Sequence, residues 1–366
     1  MKKTDLLLPL KKKKKATWKK KVKKLILTKL KKNPILGPIK DHSWEAWQTF
    51  NPGAFLAKGK THLVYRAIGK DGASRLGYAR SKNGIDIEYR ENTPVYSVLN
   101  VEDQVKTSSI PNFPVPFSSG GLWIGCEDPR ITKIDNTLHM IYVAFDGFSC
   151  PRLALTSIKL KDFMKRRWFW KKPKFISPPG IIDKSGCLFP EKINDRYVIL
   201  HRVFPNILVD FVDNLEFAND SFLKGQYAIK IRKNGWDSLK IGAGAPPIKT
   251  NYGWLLIYYG VDARYAFQYN VGAMILDSKN PSRVLYRADE PILQPDQWYE
   301  NEGHKPGIAY PCGAVVTKGR LFVYYGGADT VVCAAYAGFD TFVDQLIKTG
   351  RPKLEHARKS KVMFAS

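Results

Sequence analysis

Asp128-Pro-Arg-Ile-Thr and, one turn later, Leu138-His-Met-Ile-Tyr-Val form the stretch that decides the fold. A polar, proline-marked start runs into a short apolar strand, and a second, strongly apolar strand follows. Outward from this pair the same phrase recurs. The other starts read Asn51-Pro-Gly-Ala-Phe, Phe189-Pro-Glu-Lys-Ile, Ala245-Pro-Pro-Ile-Lys and Tyr310-Pro-Cys-Gly-Ala. Their second strands read His62-Leu-Val-Tyr-Arg, Tyr197-Val-Ile-Leu-His-Arg, Trp254-Leu-Leu-Ile-Tyr-Tyr and Leu321-Phe-Val-Tyr-Tyr. Five β-rich units spaced by roughly sixty residues imply blades around one shared central pocket. The expected fold class is all-β, a five-bladed β-propeller.

Further strands follow in several units: Leu76-Gly-Tyr-Ala-Arg, Leu153-Ala-Leu-Thr-Ser, Ile207-Leu-Val-Asp-Phe, Val271-Gly-Ala-Met-Ile-Leu and Val331-Val-Cys-Ala-Ala-Tyr. Each is apolar or alternating over a few residues and ends at polar punctuation. Residues 101–125, with Pro111, Pro114 and Pro116, read as an insertion draped over one face. Residues 341–366 read as a C-terminal helix and a basic tail. The expected division is a basic arm over 1–32, a propeller over 33–340 and the terminal segment.

The chain has 366 residues and a net charge of +26. Residues 1–32 alone carry fifteen lysines and one aspartate, so +14 of that excess sits in the arm. Trp18, Val22, Leu25, Ile26 and Leu30 fall on one face of a helix, with lysines around the rest. The arm is therefore expected to be a basic amphipathic helix. Its partner stays open between another subunit or the body, an anionic membrane surface and nucleic acid. The body carries no nucleic-acid-reading motif, so nucleic acid is not expected as the substrate. Five scattered cysteines without metal spacing suggest reduced thiols, and no apolar run reaches the ~18 residues of a membrane span. A cytoplasmic protein without a metal is expected.

In a propeller the innermost strands line the axis, so polar residues at the starts of the repeats are the first candidates for function. Asn51, Asp128, Arg130 and Glu191 stand there, and the second strands end near Arg66, Asp146, Arg202 and Asp329. Tyr65, Trp123, Tyr259, Tyr310 and Tyr325 flank them. Carboxylates and guanidinium groups beside aromatic rings suit a carbohydrate. Asp128 is the sharpest candidate, because Pro129 predicts an extended conformation that fixes its aim. A structural Asp-Pro-Arg turn and, for Asp329, a local Asx turn are the competing readings.

Glu127-Asp-Pro-Arg, Phe189-Pro-Glu-Lys-Ile, His201-Arg, Gly242-Ala-Gly-Ala-Pro-Pro-Ile-Lys-Thr, Tyr310-Pro-Cys-Gly-Ala and Tyr325-Gly-Gly-Ala-Asp-Thr together resemble glycoside hydrolase family 130, over roughly 33–340. That family comprises β-mannoside phosphorylases and related β-mannosidases. The resemblance implies an inverting attack on a β-mannosidic bond, with Asp128 as the general acid. It implies Asn51, Arg66, Arg130 and Asp329 as holders of the mannosyl unit. Lys184 and Arg202 match basic positions that hold phosphate, and Lys249 is the expected third. The reaction so implied joins a β-mannoside oligosaccharide and inorganic phosphate to give α-mannose 1-phosphate, reversibly, with no cofactor beyond phosphate as co-substrate.

Two stretches depart from the family pattern. Tyr269-Asn-Val-Gly stands where many members have His or Arg before the Gly, and Glu302-Gly-His-Lys-Pro-Gly is less apolar than usual. Two alternatives stay open. An inverting β-mannosidase or mannosyltransferase would need a second carboxylate, about 6.5–9.5 Å from the acid, to activate water. Glu191, Glu300 and Glu302 are the candidates. A non-catalytic sugar-binding propeller is the other.

Overall fold

The computed structural model describes residues 25–98, 124–218 and 221–355. After a short N-terminal strand, β1 (Thr28–Lys29), the chain runs through five antiparallel groups. The first contains β2 (Gln48–Ala57), β3 (Lys60–Ile68), β4 (Ala73–Ser81) and β5 (Ile87–Arg90). The second contains β6 (Ile124–Ile134), β7 (Thr137–Phe145), β8 (Arg152–Lys159), a short helix α1 (Leu160–Met164) and β9 (Lys174–Phe175). The third is β10 (Lys184–Leu188), β11 (Tyr197–Val203), β12 (Asn206–Val212) and β13 (Tyr227–Ile229). The fourth is β14 (Lys240–Ala243), β15 (Ile248–Thr250), β16 (Gly253–Val261), β17 (Tyr269–Leu276) and β18 (Val284–Arg287). After α2 (Trp298–Asn301) comes the fifth: β19 (Ala309–Thr317), β20 (Arg320–Gly327) and β21 (Val331–Gly338). The helix α3 (Phe339–Thr349) and a last strand, β22 (Arg351–Glu355), follow. A short parallel pairing, Ala73↔Ile124 and Ser74↔Gly125, joins the first two groups into one sheet.

The second strand of each group explains why its sequence is apolar at nearly every position. Side chains alternate across a strand, so a strand with both faces covered needs apolar residues on each. On β7, Met140 and Tyr142 enter a cluster shared with the first group, while Ile141 and Val143 enter one shared with the third. On β16, Trp254, Leu256 and Tyr258 face the third group, and Leu255 and Ile257 the fifth. On β20, Leu321, Val323 and Tyr325 face the fourth group, whereas Phe322 and Tyr324 pack with Leu63 and Ala54 of the first. The core is thus a set of apolar layers between successive groups, including the last and the first. Truncating one of these side chains, Leu256→Ala for example, would cost about 2–5 kcal/mol.

The arm differs from the helix expected of it. Trp18 and Val22 lie outside the described residues, but residues 25–30 are extended, and β1 pairs with the edge of β21 at Thr28↔Tyr336 and Lys29↔Ala335. Leu25, Leu27 and Leu30 are buried while Ile26 is exposed. An open sheet edge offered hydrogen bonds that outweighed the helical period. Asn33 completes the strap: its Oδ1 accepts from Ala334 N and its Nδ2 donates to Ala334 O, both at 2.9 Å.

The expected terminal helix is present as α3, with Phe342, Val343 and Leu346 buried. Residues 351–355 then pair with β18, a strand that the basic composition there concealed. The insertion over 101–125 lies outside the described residues except for Ile124 and Gly125, which open β6. Among the described residues no helix is long and apolar enough to cross a membrane.

Candidate active site

The first strands are interrupted at corresponding places. Register shifts fall between Phe50 and Gly53 on β2, Glu127 and Arg130 on β6, Lys184 and Cys187 on β10, and Pro311 and Gly313 on β19. Within three of these bulges Asn51, Asp128 and Ser185 take left-handed backbone, with φ of 48°, 51° and 57°. Asp329, just after β20, has φ 50°. An extra residue in one strand re-aims its side chain, and Asn and Asp tolerate the left-handed region better than most. Asp128 is therefore not extended, as the proline after it predicts. The bulge sets its aim instead.

Asn51, Asp128 and Asp329 meet in one cavity of about 610 Å³, to which all five groups contribute. Its lining includes Asn51, Arg66, Asp128, Lys184, Arg202 and Asp329. Asn51 Nδ2 donates to Asp128 Oδ1 at 2.8 Å, and Arg66 Nη1 approaches the same oxygen at 3.4 Å. Behind them Glu127, 1% exposed, joins Arg66 Nη2 at 3.1 Å to Lys184 Nζ at 3.2 Å. Lys184 and Arg202 are register partners across β10 and β11. Two buried polar atoms at the site, Asn51 Oδ1 and Arg202 Nε, have no hydrogen-bond partner among the described residues. Buried polar groups are nearly always satisfied, so both call for a partner that the described residues do not supply.

Charge decides what that can be. The lining holds five lysines and arginines (Arg66, Lys184, Arg202, Lys240 and Lys305) against two carboxylates, Asp128 and Asp329. Burial alone would raise Asp128, but the Arg66 and Arg130 guanidinium groups, the Asn51 hydrogen bond and Lys184 outweigh it and hold the carboxyl below its ordinary range. Asp329 goes the other way. Burial and the neighbouring Asp128 and Glu127 push it up to about 6, against Lys305 and Arg66. Burial also pulls Lys184 below its usual value, against the opposing pull of Glu127 and Asp128. A cavity with more cations than it can neutralise suits an anion, and its neutral polar wall suits hydroxyl groups.

Not every expected residue is here. Arg130 is buried behind the cavity: its Nη1 donates to the Asp128 backbone oxygen at 2.8 Å and its Nη2 to Tyr310 Oη at 3.2 Å. It supports the bulge and does not reach the carboxylate. Lys249 is a correction. It sits on β15, opposite Trp254 near the Thr250–Gly253 turn, and pairs at 2.5 Å with Glu191 on the outside of the molecule. The cavity end of the same sheet is at Gly242↔Tyr259. Five residues at about 3.3 Å each separate Trp254 from Tyr259, a distance of about 16 Å.

The three glutamates proposed as a base lie off the cavity as well. Glu191 is engaged by Lys249. Glu300 is buried among Lys29, Tyr325 Oη and the Gln297 N–H. Glu302 is exposed at the end of α2. Tyr259 and Tyr310 line the cavity, whereas Tyr65 and Tyr325 are buried elsewhere and Trp123 lies outside the described residues. Asp146 closes its own turn onto the N–H groups of Phe148 and Ser149.

Sequence reasoning missed Lys240, whose Nζ donates to Tyr269 Oη at 2.6 Å inside the cavity. Burial, then Arg202, Lys305 and Lys184, bring its ammonium down to about 8. It also missed Phe267, His304, Lys305 and Pro306, which complete the lining. The departures at Tyr269 and at 302–307 marked both places, without saying what filled them.

The sequence pattern of a family described as beta-1,4-mannooligosaccharide phosphorylase matches residues 10–348. The chain is 38% identical over 319 residues to the 1,2-beta-oligomannan phosphorylase of Thermoanaerobacter sp. (strain X514), covering 84% of this chain and 96% of that protein. It is 35% identical over 322 residues to the beta-1,2-mannobiose phosphorylase of the same organism, with the same two coverages. Among solved structures, a glycosyl hydrolase from Bacteroides ovatus superposes with a TM-score of 0.68 at 26% identity, covering 90% of this chain and 95% of that one.

Proposed function

The chain belongs to glycoside hydrolase family 130, and from that premise we propose that it is an inverting β-mannoside phosphorylase with residues 33–340 as its catalytic unit. One observation carries the choice of phosphorolysis. Lys184, Arg202 and Lys240 converge in the cavity that holds Asp128, while Glu191, Glu300 and Glu302 do not line it. Phosphate is a ready nucleophile and needs fixed cations rather than a base. A hydrolase of inverting type needs a second carboxylate beside a water, and the other carboxylate of the lining, Asp329, is assigned here to the mannosyl unit.

In this reading Asn51, Arg66 and Asp329 hold the mannosyl unit, and Lys184, Arg202 and Lys240 hold phosphate. Lys240 takes the place foreseen for Lys249. A phosphate oxygen attacks the anomeric carbon from the face opposite the glycosidic oxygen. The carbon–oxygen bond breaks, Asp128 gives its proton to the departing oxygen, and α-mannose 1-phosphate remains. Without phosphate the surrounding cations favour the ionised form of Asp128. A bound phosphate offsets their charge, which lets Asp128 carry the proton it must donate.

The same premise supports the architecture. The five groups act as blades of a propeller whose axis runs through the cavity. What favours this is that alternate faces of each second strand pack against the preceding and following groups, and that the fifth group packs against the first.

The experiment is to supply β-1,2- and β-1,4-linked manno-oligosaccharides with and without inorganic phosphate. Phosphate-dependent formation of α-mannose 1-phosphate is expected. Release of free mannose at one rate under both conditions would sink the proposal. Both relatives quoted above are named for β-1,2 linkages, so a β-1,2-mannoside is the first substrate to try.

A further inference from the structure

Phe267 lies on the connection between β16 and β17, and its ring is 87% exposed, yet it is one of the residues that line the cavity. A large apolar ring turned to water beside a polar, cationic cavity gains nothing in the fold. The connection that carries it, Asp262-Ala-Arg-Tyr-Ala-Phe-Gln, has no glycine and is fixed at several points. The Tyr265 N–H donates to Asp262 O at 3.1 Å, and the Gln268 N–H to Tyr265 O at 3.0 Å. The Asp262 carboxylate holds the Arg264 N–H and guanidinium. Directly after it the Tyr269 N–H donates to Gly307 O at 2.9 Å, which ties this connection to the stretch carrying His304, Lys305 and Pro306. That stretch is anchored in turn by Lys305 N to Ala328 O and Gly307 N to Glu300 O, each at 3.0 Å. The ring is therefore presented on a built support.

A phenyl ring has no hydrogen-bonding group, so it recognises a face, and the C–H face of a pyranose is such a surface. The mannosyl unit is assigned to Asn51, Arg66 and Asp329, which are each less than a tenth exposed. The sugar on the other side of the scissile bond must then lie toward the open end, where Phe267 stands. We infer that Phe267 is a specificity-determining residue: its ring is the stacking platform for the departing sugar, which is the acceptor when the reaction runs in reverse. This rests on the carbohydrate-cleaving reading above. Stacking on a bare ring reads the face of the sugar and not its hydroxyl pattern, so Phe267 tightens acceptor binding without choosing the phosphate or the mannosyl donor.

The test compares Phe267→Ala and Phe267→Trp in the full chain. In synthesis from α-mannose 1-phosphate and a mannobiose acceptor, Phe267→Ala should raise the acceptor KM about tenfold and leave the donor KM unchanged, while Phe267→Trp keeps the acceptor KM low. An unchanged acceptor KM in the alanine variant overturns the inference. Calorimetric binding of β-1,2-mannobiose and β-1,2-mannotriose to the Asp128→Asn protein, which has no acid, provides an arm independent of phosphorolysis. Weaker binding once Phe267→Ala is added supports the platform, whichever nucleophile the enzyme uses. Equal binding, or no binding of either saccharide to the Asp128→Asn protein, overturns it.

Discussion

His201 Nδ1 lies 2.7 Å from Asp183 Oδ2 in a site closed to solvent, and each residue immediately precedes a cavity cation, Arg202 and Lys184. The other ring nitrogen meets Asp210 Oδ2 at 2.9 Å, and Asp210 also accepts from the N–H groups of Lys224, Gly225 and Gln226. Burial alone would lower the imidazole, but Asp183 and Asp210 override it and raise it from 6.5 to about 10. A buried imidazolium between two carboxylates thus fastens the two strands that carry the cavity cations Lys184 and Arg202.

The stability held there follows from the sign of that shift. A folded-state value above the unfolded one means a contribution fully present below pH 6.5 and lost as pH rises through about 10. His201→Gln should remove that slope from a plot of denaturation free energy against pH. It should also cost about 3–5 kcal/mol near neutrality, because it leaves buried carboxylates without their cation. A variant with the wild-type slope would show that the imidazole is not the titrating group.

Asp128→Asn keeps the Asn51 and Arg66 neighbours but has no proton to give. Turnover of natural mannosides should fall by roughly 10²–10⁴, the usual weight of a general acid. An aryl β-mannoside with a good leaving group needs less protonation, so its loss should be much smaller. Equal losses on both substrates would argue that Asp128 positions sugar rather than supplying the proton.

Burial and the neighbouring cations bring the Lys240 ammonium down to about 8, so its charge is lost as pH rises through that value. The KM for phosphate should therefore climb as pH passes 8, by up to tenfold per unit. Lys240→Arg should flatten that climb, and Lys240→Met should raise KM about tenfold at pH 7 and abolish the pH dependence. A wild-type KM that stays level from pH 7 to 9 would remove Lys240 from the phosphate site.

Lys249→Ala separates the sequence reading from the structural one. Its ammonium serves an exposed ion pair with Glu191, of the kind worth about 0–1 kcal/mol. The phosphate KM should be unchanged within error, and the same should hold for Glu191→Gln. A several-fold rise in either variant would restore the role that the sequence suggested.

Much of the site was legible because its residues sit at marked points of a repeat. Asn51, Asp128 and Asp329 stand beside prolines, glycines or turns, and Arg66 and Arg202 close strongly apolar strands. Lys240 had no such mark: it is one lysine among many, opening a strand of only four residues. Lys249 was misread because Pro246 and Pro247 divide β14 from β15, so that neighbours in sequence stand at opposite ends of the sheet. The arm went wrong for another reason. Leu25, Ile26 and Leu30 fit a helix face while Leu25 and Leu27 fit an extended strap, and only the unpaired edge of β21 decides between them. Phe267 carried no pattern because its role depends on what lies beside it in space.

The bulges have a consequence beyond aim. Asn51, Asp128, Ser185 and Asp329 hold conformations that glycine would adopt freely, at a cost on the order of 1 kcal/mol apiece for a residue with a side chain. Selection for a more heat-resistant protein would therefore find easy gains at the residues that the chemistry can least spare. Activity and robustness are opposed here by the backbone itself, and a thermostable variant with glycine at these positions would be a sound β fold with an inert centre.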